Sequence, residues 1–375
     1  MEQSLEKNLR REAAAFNPSD YSSSAGKTGW TSPSNIAIIK YWGKREVQLP
    51  MNPSLSLTLR EAVSRTTLNY EFAPERDSTE LQFRFEGAST PAFASRIEQY
   101  MDRLLPYLPA LRHCSLEIES ENTFPHSSGI ASSASAMSAL ALCLISMEQQ
   151  VRGIRDDGQM FMKASFLARL GSGSASRSLF PGFALWGSDR SWKGSSDEFA
   201  IPVTEYHPEF GRLRDAILVV EPGQKKVSSS AGHSLMETNP FSKARFRQAR
   251  QNLGQLGIAL KTGDWGRFIE IMEEEALTLH AMMMTGRPGY LLMEPATLSV
   301  IQRTWEFRKS SGCRVGFTLD AGANVHLLYA EADAGRVETF IHQSLTALYE
   351  GRRVISDGMG EGPQPFDRSK DPPGQ

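Results

Sequence analysis

The chain has 375 residues, of which 40% are hydrophobic and 22% are charged, and its formal net charge at pH 7 is −2. This composition is typical of a folded globular protein and excludes a disordered or collagen-like chain. At about 100–200 residues per domain, the length predicts two domains. The near-zero net charge gives no reason to expect a nucleic-acid or membrane partner.

The cysteines and the N-terminus predict a cytoplasmic protein. Cys114, Cys143 and Cys313 are far apart and fall in apolar patterns, so we expect free, buried thiols in a reducing compartment. The charged N-terminus lacks the apolar stretch of a secretory signal. No run approaches the roughly 20 apolar residues that span a bilayer.

Both ends of the chain are polar. Residues 1–28 are predicted to form an arm without a core face of its own, and EGPQPFDRSKDPPGQ at 361–375 is rich in proline, glycine and charge. We expect both ends to be mobile, with 366–375 as a tail.

The first half of the chain has strand patterns followed by a helix pattern. Alternation predicts strands at 36–40 and 54–59, a hairpin from TTLNYEF to LQFRF, and a strand at CSLEIESE. Apolar residues then recur at helical spacing, at Met137, Leu140, Ala141, Leu144 and Met147. The unit is therefore strand, small-residue loop and helix.

The pattern changes after residue 205. A strand at DAILVVE precedes three long helical patterns between 241 and 308, strands at CRVGFTLD and NVHLLY, and a helix around VETFIHQSLTALYE. This order predicts a second α+β unit. We therefore expect one domain over 29–205 and another over 206–365.

The loop FPHSSGIASSASA at 124–136 has the components of a phosphate-binding site. A helix N-terminus attracts anions, and small residues leave its N–H groups accessible. Gly129 and Ala131 keep bulk away, while the hydroxyls of Ser127, Ser128, Ser132 and Ser133 can bind phosphate or its Mg²⁺. The alternative is a tightly packed helix with Ser128 as an ordinary N-cap.

A second small-residue loop, GSGSASRS at 171–178, contains one arginine, Arg177. The planar guanidinium group suits a carboxylate or a phosphate. The alternative is a Gly/Ser turn with a solvated arginine.

Two further residues place charge at the ends of predicted strands. In SNIAIIKYWGK, Lys40 shares a face with Ile36 and Ile38, where a strand facing the core favours an apolar residue. Asp320 ends a strand in FTLDAGANVHLLY. In the alternative interpretation, the Lys40 side chain extends to solvent and the Asp320 carboxylate caps a turn. Beside a lysine and a nucleotide phosphate, however, Asp320 would accept a hydroxyl proton.

Together these stretches resemble the diphosphomevalonate decarboxylases of the GHMP kinase superfamily. The matching segments are SPSNIAIIKYWGKRE, NPSLSLTL, SENTFPHSSGIASSASA, GSGSASRSLFPGFALW, KKVSSSAG, LHAMM and FTLDAGANVHLLY. They occur in the family's order over roughly residues 30–365. KYWGK and GSGSAxRS separate the decarboxylases from the wider superfamily.

The resemblance implies an α+β GHMP kinase fold, with an N-terminal lobe like ribosomal protein S5 domain 2, a ferredoxin-like C-terminal lobe and a cleft between them. It also implies a homodimer that acts on a small molecule, with ATP and Mg²⁺. The implied reaction phosphorylates the 3-hydroxyl of (R)-5-diphosphomevalonate and then releases phosphate and CO₂ to form isopentenyl diphosphate in the mevalonate pathway of isoprenoid biosynthesis.

Site residues follow from the same resemblance. Asp320 would orient or deprotonate the 3-hydroxyl, Lys40 would neutralise the migrating phosphate and keep Asp320 ionised, and Arg177 would hold the substrate carboxylate. Substrate-contacting positions are Tyr41, Lys44, Ser172, Gly173, Ser174 and Ser229. The ATP phosphate site comprises Ser127, Ser128, Gly129, Ala131, Ser132 and Ser133. No dedicated metal cage is expected, since Mg²⁺ would arrive with ATP and contact Ser132 or Ser133.

The chain also departs from the family pattern. Ser230 and His233 stand where many bacterial relatives have arginine and methionine, so the number of phosphates at C5 is less certain than the chemistry at C3. His126 is expected on the surface, and His280 is expected to support the site rather than react.

Alternative functions are a phosphomevalonate decarboxylase, a mevalonate 3-kinase and a non-catalytic ligand sensor. A 3-kinase is expected to lose the carboxylate-binding arginine or the pair formed by Lys40 and Asp320. A sensor is expected to lose the base or the phosphate loop. The sequence retains all of these features.

Overall fold

Two β-sheets with packed helices organise the chain in the computed structural model, which describes residues 4–125, 130–154, 158–220, 229–349 and 354–368. The α-helices are α1 (Leu5–Ala14), α2 (Pro91–Leu104), α3 (Ser132–Arg152), α4 (Met160–Gly171), α5 (Ser229–Thr238), α6 (Ser242–Thr262), α7 (Trp265–Met284), α8 (Pro295–Ser311) and α9 (Ala334–Phe340). None of these helices has the length and apolar character needed to cross a membrane.

The strands fall into the two large sheets and a short two-stranded one. They are β1 (Ser24–Ala37), β2 (Lys44–Arg45), β3 (Leu49–Pro50), β4 (Ser54–Phe72), β5 (Glu80–Phe85), β6 (Cys114–Asn122), β7 (Phe183–Trp186), β8 (Ala200–Val203), β9 (Arg214–Leu218), β10 (Val315–Thr318), β11 (Val325–Tyr329), β12 (Val354–Gly358) and β13 (Gln364–Pro365). This mixture confirms the predicted α+β class.

The first sheet is built around the long strand β4. Its order is β13-β1-β4-β6-β5, and β7 joins β4 and then β8 away from this path. The beginning of β4 pairs with β7, and its end pairs with β6. Because α3 packs its apolar residues against β1 and β4, the start of α3 and the loop after β1 lie in the same lobe.

The predicted hairpin between TTLNYEF and LQFRF is wrong. Both segments are strands, but β5 pairs in parallel with β6, which lies between β5 and β4. The chain crosses from β5 to β6 through α2, and a parallel connection requires such a crossover. β5 has no fully buried residue, as suits an edge strand.

The described parts of both polar ends attach to the first lobe, so the prediction that the N-terminal arm has no core face is wrong. Residues 369–375 of the expected tail lie outside the described residues. Leu5 and Leu9 on α1 are buried in the same core cluster as the apolar residues of α3. At the other end, the Phe366 N–H donates to the Gly29 carbonyl at 2.8 Å. Arg368 forms ion pairs with Glu119 and Glu121.

The second sheet is antiparallel, in the order β10-β11-β9-β12. Its strands β9, β10 and β11 lie where DAILVVE, CRVGFTLD and NVHLLY predicted them. One core cluster joins the two lobes. It contains Leu55 and Phe183 from the first sheet, and Phe268 and Met272 from α7, which packs against β10 of the second sheet. The lobes therefore share buried apolar surface.

Polar contacts also join the lobes. The Asp357 carboxylate on β12 accepts N–H groups from Arg60, Glu61 and Ala62 at 2.7, 3.0 and 2.9 Å. Three backbone donors on one carboxylate give a strong, directional contact. Asp357 thereby anchors β12 to the middle of β4.

A buried ion pair in the second lobe fixes the backbone of Lys40 in the first. Arg245 on α6 and Glu275 on α7 are 1% and 0% exposed. Arg245 donates to both Glu275 oxygens, and Asn252 donates to Oε1 at 2.9 Å. Glu275 Oε2 also accepts the Lys40 backbone N–H at 2.9 Å. The pair is thus part of the framework that positions Lys40.

We predict that Arg245→Met lowers the free energy of unfolding by about 3–5 kcal/mol, because Glu275 would remain as a buried, uncompensated charge. Urea denaturation measures this loss. The control is Arg267→Met on α7, which breaks an exposed ion pair with Glu270 and an exposed hydrogen bond to Gln255 and should change stability by less than about 1 kcal/mol. Equal effects of the two substitutions would show that the buried pair does not hold this region together.

Candidate active site

A cavity of about 510 Å³ is lined by residues from both lobes. It gathers all three residues predicted to be catalytic, Lys40, Arg177 and Asp320. Of the predicted substrate-contacting residues, it is lined by Tyr41, Lys44, Ser172, Gly173 and Ser174. Segments that are distant along the chain therefore meet at one site.

The central contact joins Lys40 and Asp320. Lys40 Nζ lies 3.0 Å from Asp320 Oδ1, and the two side chains are 1% and 30% exposed. Burial lowers the pKa of Lys40, while the nearby Asp320 carboxylate opposes that shift. Lys40 does not reach solvent at a strand end, since it is enclosed with its counter-ion. Asp320 is the more exposed member of the pair and also lines the cavity.

Asp320 is held through its backbone. It lies two residues beyond the end of β10, and its carbonyl oxygen accepts the Gly322 N–H at 2.8 Å. His280 Nε2 donates to the same oxygen at 3.1 Å. Burial lowers the pKa of His280 to about 4, so the imidazole is neutral at pH 7. His280 therefore helps to hold the backbone of Asp320 in place.

Arg177 lies in the short 3-10 helix Gly173–Leu179 and is 2% exposed. It donates to the Ser54 hydroxyl and to Asn35 Oδ1, while its Nε has no hydrogen-bond partner among the described residues. Burial lowers the pKa of Arg177 to about 10, and Asp320 and Tyr41 oppose this shift. The alternative of a solvated arginine is wrong. A buried cation with an unpartnered donor is suited to an anionic ligand.

The two small-residue loops meet through serine hydroxyls. Ser133 Oγ lies 3.3 Å from Ser172 Oγ, which lies 3.5 Å from Ser174 Oγ. Gly173 lies between these two serines, where an added Cβ would come within 2.8 Å of the Trp186 ring. The small residues therefore allow close approach and leave a row of hydroxyls along the cavity.

The start of α3 lies beside this row of hydroxyls, because Ser133 belongs to both. Ala131 occupies the N-cap position, and no side-chain cap bond is made there. Ala131 and Ser133 line the main cavity. Ser132 and Ser133 line a neighbouring apolar pocket of about 90 Å³. Ser127, Ser128 and Gly129, together with His126, lie outside the described residues.

Three packed rings, those of Tyr41, Trp42 and His233, line the cavity together with Lys44. The rings of Tyr41 and Trp42 lie 4.3 and 4.9 Å from that of His233. His233 Nδ1 accepts the Gly43 N–H at 3.0 Å, and burial lowers the pKa of His233 to about 3. The ring is therefore neutral, with its proton on Nε2.

Ser229 and Ser230 begin α5. Because their side chains are not among the described parts of the structure, the predicted substrate contact of Ser229 stays a prediction.

One wall of the cavity was not predicted from the sequence. It is the face of α2 formed by Arg96, Gln99, Tyr100 and Arg103. Their spacing of i, i+3, i+4 and i+7 places them on one helix face. Two arginines on one face of a helix were the sequence signal that could have identified this wall. In the part of the chain that the structure describes, no group of three or more His, Cys, Asp or Glu side chains could hold a metal ion.

Two family models match the chain. The model of the diphosphomevalonate decarboxylase-like N-terminal domain matches residues 32–200. The model of the mevalonate 5-diphosphate decarboxylase C-terminal domain matches residues 216–365. The matched segments contain every residue that lines the main cavity.

Similar proteins agree with these models. The diphosphomevalonate decarboxylase of Gibberella zeae is 31% identical over 373 residues, covering 89% of this chain and 95% of that protein. The mevalonate diphosphate decarboxylase structure from Staphylococcus aureus has a TM-score of 0.77 at 30% identity, covering 92% of this chain and 99% of its own. A structure of MDDEF in complex with MVAPP, AMPPCP and magnesium also has a TM-score of 0.77, at 29% identity and 92% and 100% coverage. The chain therefore belongs to the diphosphomevalonate decarboxylase family.

Proposed function

We propose that this protein is an ATP- and Mg²⁺-dependent decarboxylase that converts (R)-5-diphosphomevalonate to isopentenyl diphosphate in the mevalonate pathway. The observation that carries this proposal is the 3.0 Å contact between Lys40 Nζ and Asp320 Oδ1. It lies in a cavity that also contains Arg177 and the start of α3. The family relationship and the small-molecule complex of the MDDEF neighbour support the same reaction.

The reaction requires that a tertiary alcohol become a leaving group. The 3-hydroxyl attacks the terminal phosphorus of ATP, its proton passes to a base, and ADP leaves. The C3–O bond then breaks and inorganic phosphate departs. Loss of the C1 carboxylate as CO₂ supplies the electron pair for the new double bond. The products are ADP, phosphate, CO₂ and isopentenyl diphosphate.

The charged residues match these requirements. Asp320 is the carboxylate that orients the 3-hydroxyl and receives its proton. Lys40, held against Asp320, supplies positive charge for the phosphoryl group as it moves. Arg177 has a buried Nε without a partner in the described part of the chain, and we assign it to the substrate carboxylate.

The nucleotide phosphates fit the start of α3. Its N-terminus has no side-chain cap, and Ser133 is linked to Ser172 and Ser174 by close hydroxyl contacts. Backbone N–H groups and hydroxyls are the ligands that phosphate oxygens prefer at such a site. We propose that Mg²⁺ enters with ATP and contacts Ser132 or Ser133, where it neutralises phosphate charge.

We predict that Asp320→Asn lowers turnover about 10²–10⁴-fold, because the amide cannot accept the hydroxyl proton, while ATP binding remains largely intact. The assay supplies ATP, Mg²⁺ and either mevalonate 5-phosphate or 5-diphosphomevalonate, and it measures ADP, phosphate and CO₂ separately. The control, Asp102→Asn, alters an exposed carboxylate on α2 and should retain turnover.

Three outcomes of this assay would contradict the proposal. Near-normal turnover by Asp320→Asn would remove the assigned role of that residue. ADP formation without CO₂ would indicate a 3-kinase instead of a decarboxylase. Turnover of the monophosphate alone would identify a phosphomevalonate decarboxylase, the alternative raised by Ser230.

We also propose that the 90 Å³ pocket binds the adenine base. The rings of Phe83, Phe85 and Phe93 line it, as do Ser132 and Ser133 at the start of α3. Asn122 lines it too, with a buried Nδ2 that has no hydrogen-bond partner in the described chain. Apolar walls with one directed polar group suit a flat heteroaromatic ring.

We predict that Ala136→Phe raises the KM for ATP about tenfold or more, because the larger side chain would fill this pocket. The KM for the mevalonate substrate should change much less. Steady-state kinetics with each substrate varied in turn measure both values. Ala92→Phe, on the exposed start of α2, is the control. An unchanged KM for ATP would place adenine elsewhere.

We further propose a cytoplasmic homodimer with lobes over 29–205 and 206–365. The family resemblance supports the dimer, and three buried free cysteines support a reducing compartment. Strands β1–β8 fall in 24–203 and β9–β12 fall in 214–358, while β13 at the end of the second range returns to the first sheet. Light scattering should give twice the chain mass of 41.6 kDa. The mass of a single chain would contradict the dimer.

A further inference from the structure

Helix α2 is a wall shared by the two ligand spaces. Phe93, Arg96 and Ile97 line the small apolar pocket, whereas Arg96, Gln99, Tyr100 and Arg103 line the main cavity. At 1.5 Å per residue, Arg96 and Arg103 are separated by about 10 Å along the helix. Arg96 thus stands where the spaces meet, and Arg103 lies farther from the nucleotide pocket.

The cations of the main cavity form two groups. Lys40 and Arg177 both interact electrostatically with Asp320. Lys44 instead has Arg103 and Arg96 as its charged neighbours. Burial lowers the pKa of Lys44, and these two arginines lower it further.

The second group has no carboxylate within the cavity wall. Among the described residues that line the cavity, Asp320 is the only Asp or Glu, and it already pairs with Lys40. Like charges placed together without a counter-ion repel one another. A multiply charged anion would relieve this repulsion, so the group formed by Lys44, Arg96 and Arg103 is suited to a phosphorylated ligand.

Arg103 is oriented by the end of α4, which leads into the loop GSGSASRS at 171–178. Its Nη1 donates to the Leu170 carbonyl at 3.0 Å, near the C-terminal end of α4 and just before Gly171 and Ser172. That bond uses one of the five guanidinium donors. The described residues provide no ion-pair partner for Arg103, and the side chain is exposed at the cavity wall.

We propose that Arg103 is a specificity-determining residue that binds, together with Lys44, the terminal phosphoryl group of the substrate's 5-diphosphate. The inference rests on the proposed decarboxylase function. A 5-monophosphate would lack the group that Arg103 contacts, so Arg103 would favour the diphosphate.

The experiment compares wild type, Arg103→Met and Arg103→Lys with 5-diphosphomevalonate and with mevalonate 5-phosphate. Losing charge-assisted hydrogen bonds should lower kcat/KM for the diphosphate about 10–100-fold. The value for the monophosphate should fall less than about threefold, because that contact is absent there. Arg103→Lys keeps the charge without the fork geometry and should lose less activity than Arg103→Met.

Binding is a second readout that does not depend on turnover. Calorimetry with 5-diphosphomevalonate and no nucleotide should show an approximately 10–100-fold weaker Kd for Arg103→Met. Arg11→Met, an exposed arginine of α1 that does not line the cavity, is the matched control and should match wild type. If Arg103→Met does not fold, Arg103→Lys still tests the ratio of the two substrates.

The outcomes separate this inference from the function on which it rests. A selective loss with the diphosphate supports the role of Arg103. Equal losses with both substrates would overturn it, because Arg103 would then act only through the Leu170 carbonyl. Unchanged kinetics and binding would overturn it as well. A wild-type protein that turns over neither substrate would overturn the proposed function itself.

Discussion

The site depends on keeping a lysine ammonium group out of water. Lys40 is 1% exposed, and an unpaired charge at that depth would lose hydration without compensation. Asp320 supplies the opposite charge from a strand end of the other lobe. The backbone of Lys40 is fixed by Glu275 and by Asn52, which donates to its carbonyl at 3.0 Å. The ammonium therefore has little freedom to move away from the carboxylate.

The rest of the cavity holds positive charge and hydrogen-bond donors in place before a ligand binds. Arg177 Nε and the Tyr41 hydroxyl are buried without partners in the described chain, and the start of α3 lacks a side-chain cap. Such groups cost stability in the free protein, because buried donors are normally satisfied. They are useful for catalysis when a ligand completes them, since donors already in place need not reorganise as charge develops.

The fold brings these groups together through a few long-range contacts. The extended strand β4 supports β1 and β7 at its beginning and β6 at its end. α3 packs on the same sheet, so its N-terminus lies near the loop that follows α4. Asp357 ties the second sheet to β4, while the buried pair of Arg245 and Glu275 reaches the Lys40 backbone. Apolar contacts join the lobes, and these directed polar contacts fix the geometry at the cavity.

The sequence alone was enough to predict the strands on either side of α3 and α4 and the candidate site residues, because alternation, helical spacing and runs of small residues are local properties of the chain. It identified Lys40, Arg177 and Asp320 as candidates and predicted the strands of the second lobe. Tertiary structure alone decided that β5 pairs with β6, that α1 contributes to the core and that α2 forms a cavity wall with Arg96 and Arg103. Strand partners and cavity walls depend on which segments meet across the folded chain, and local periodicity contains no information about those distances.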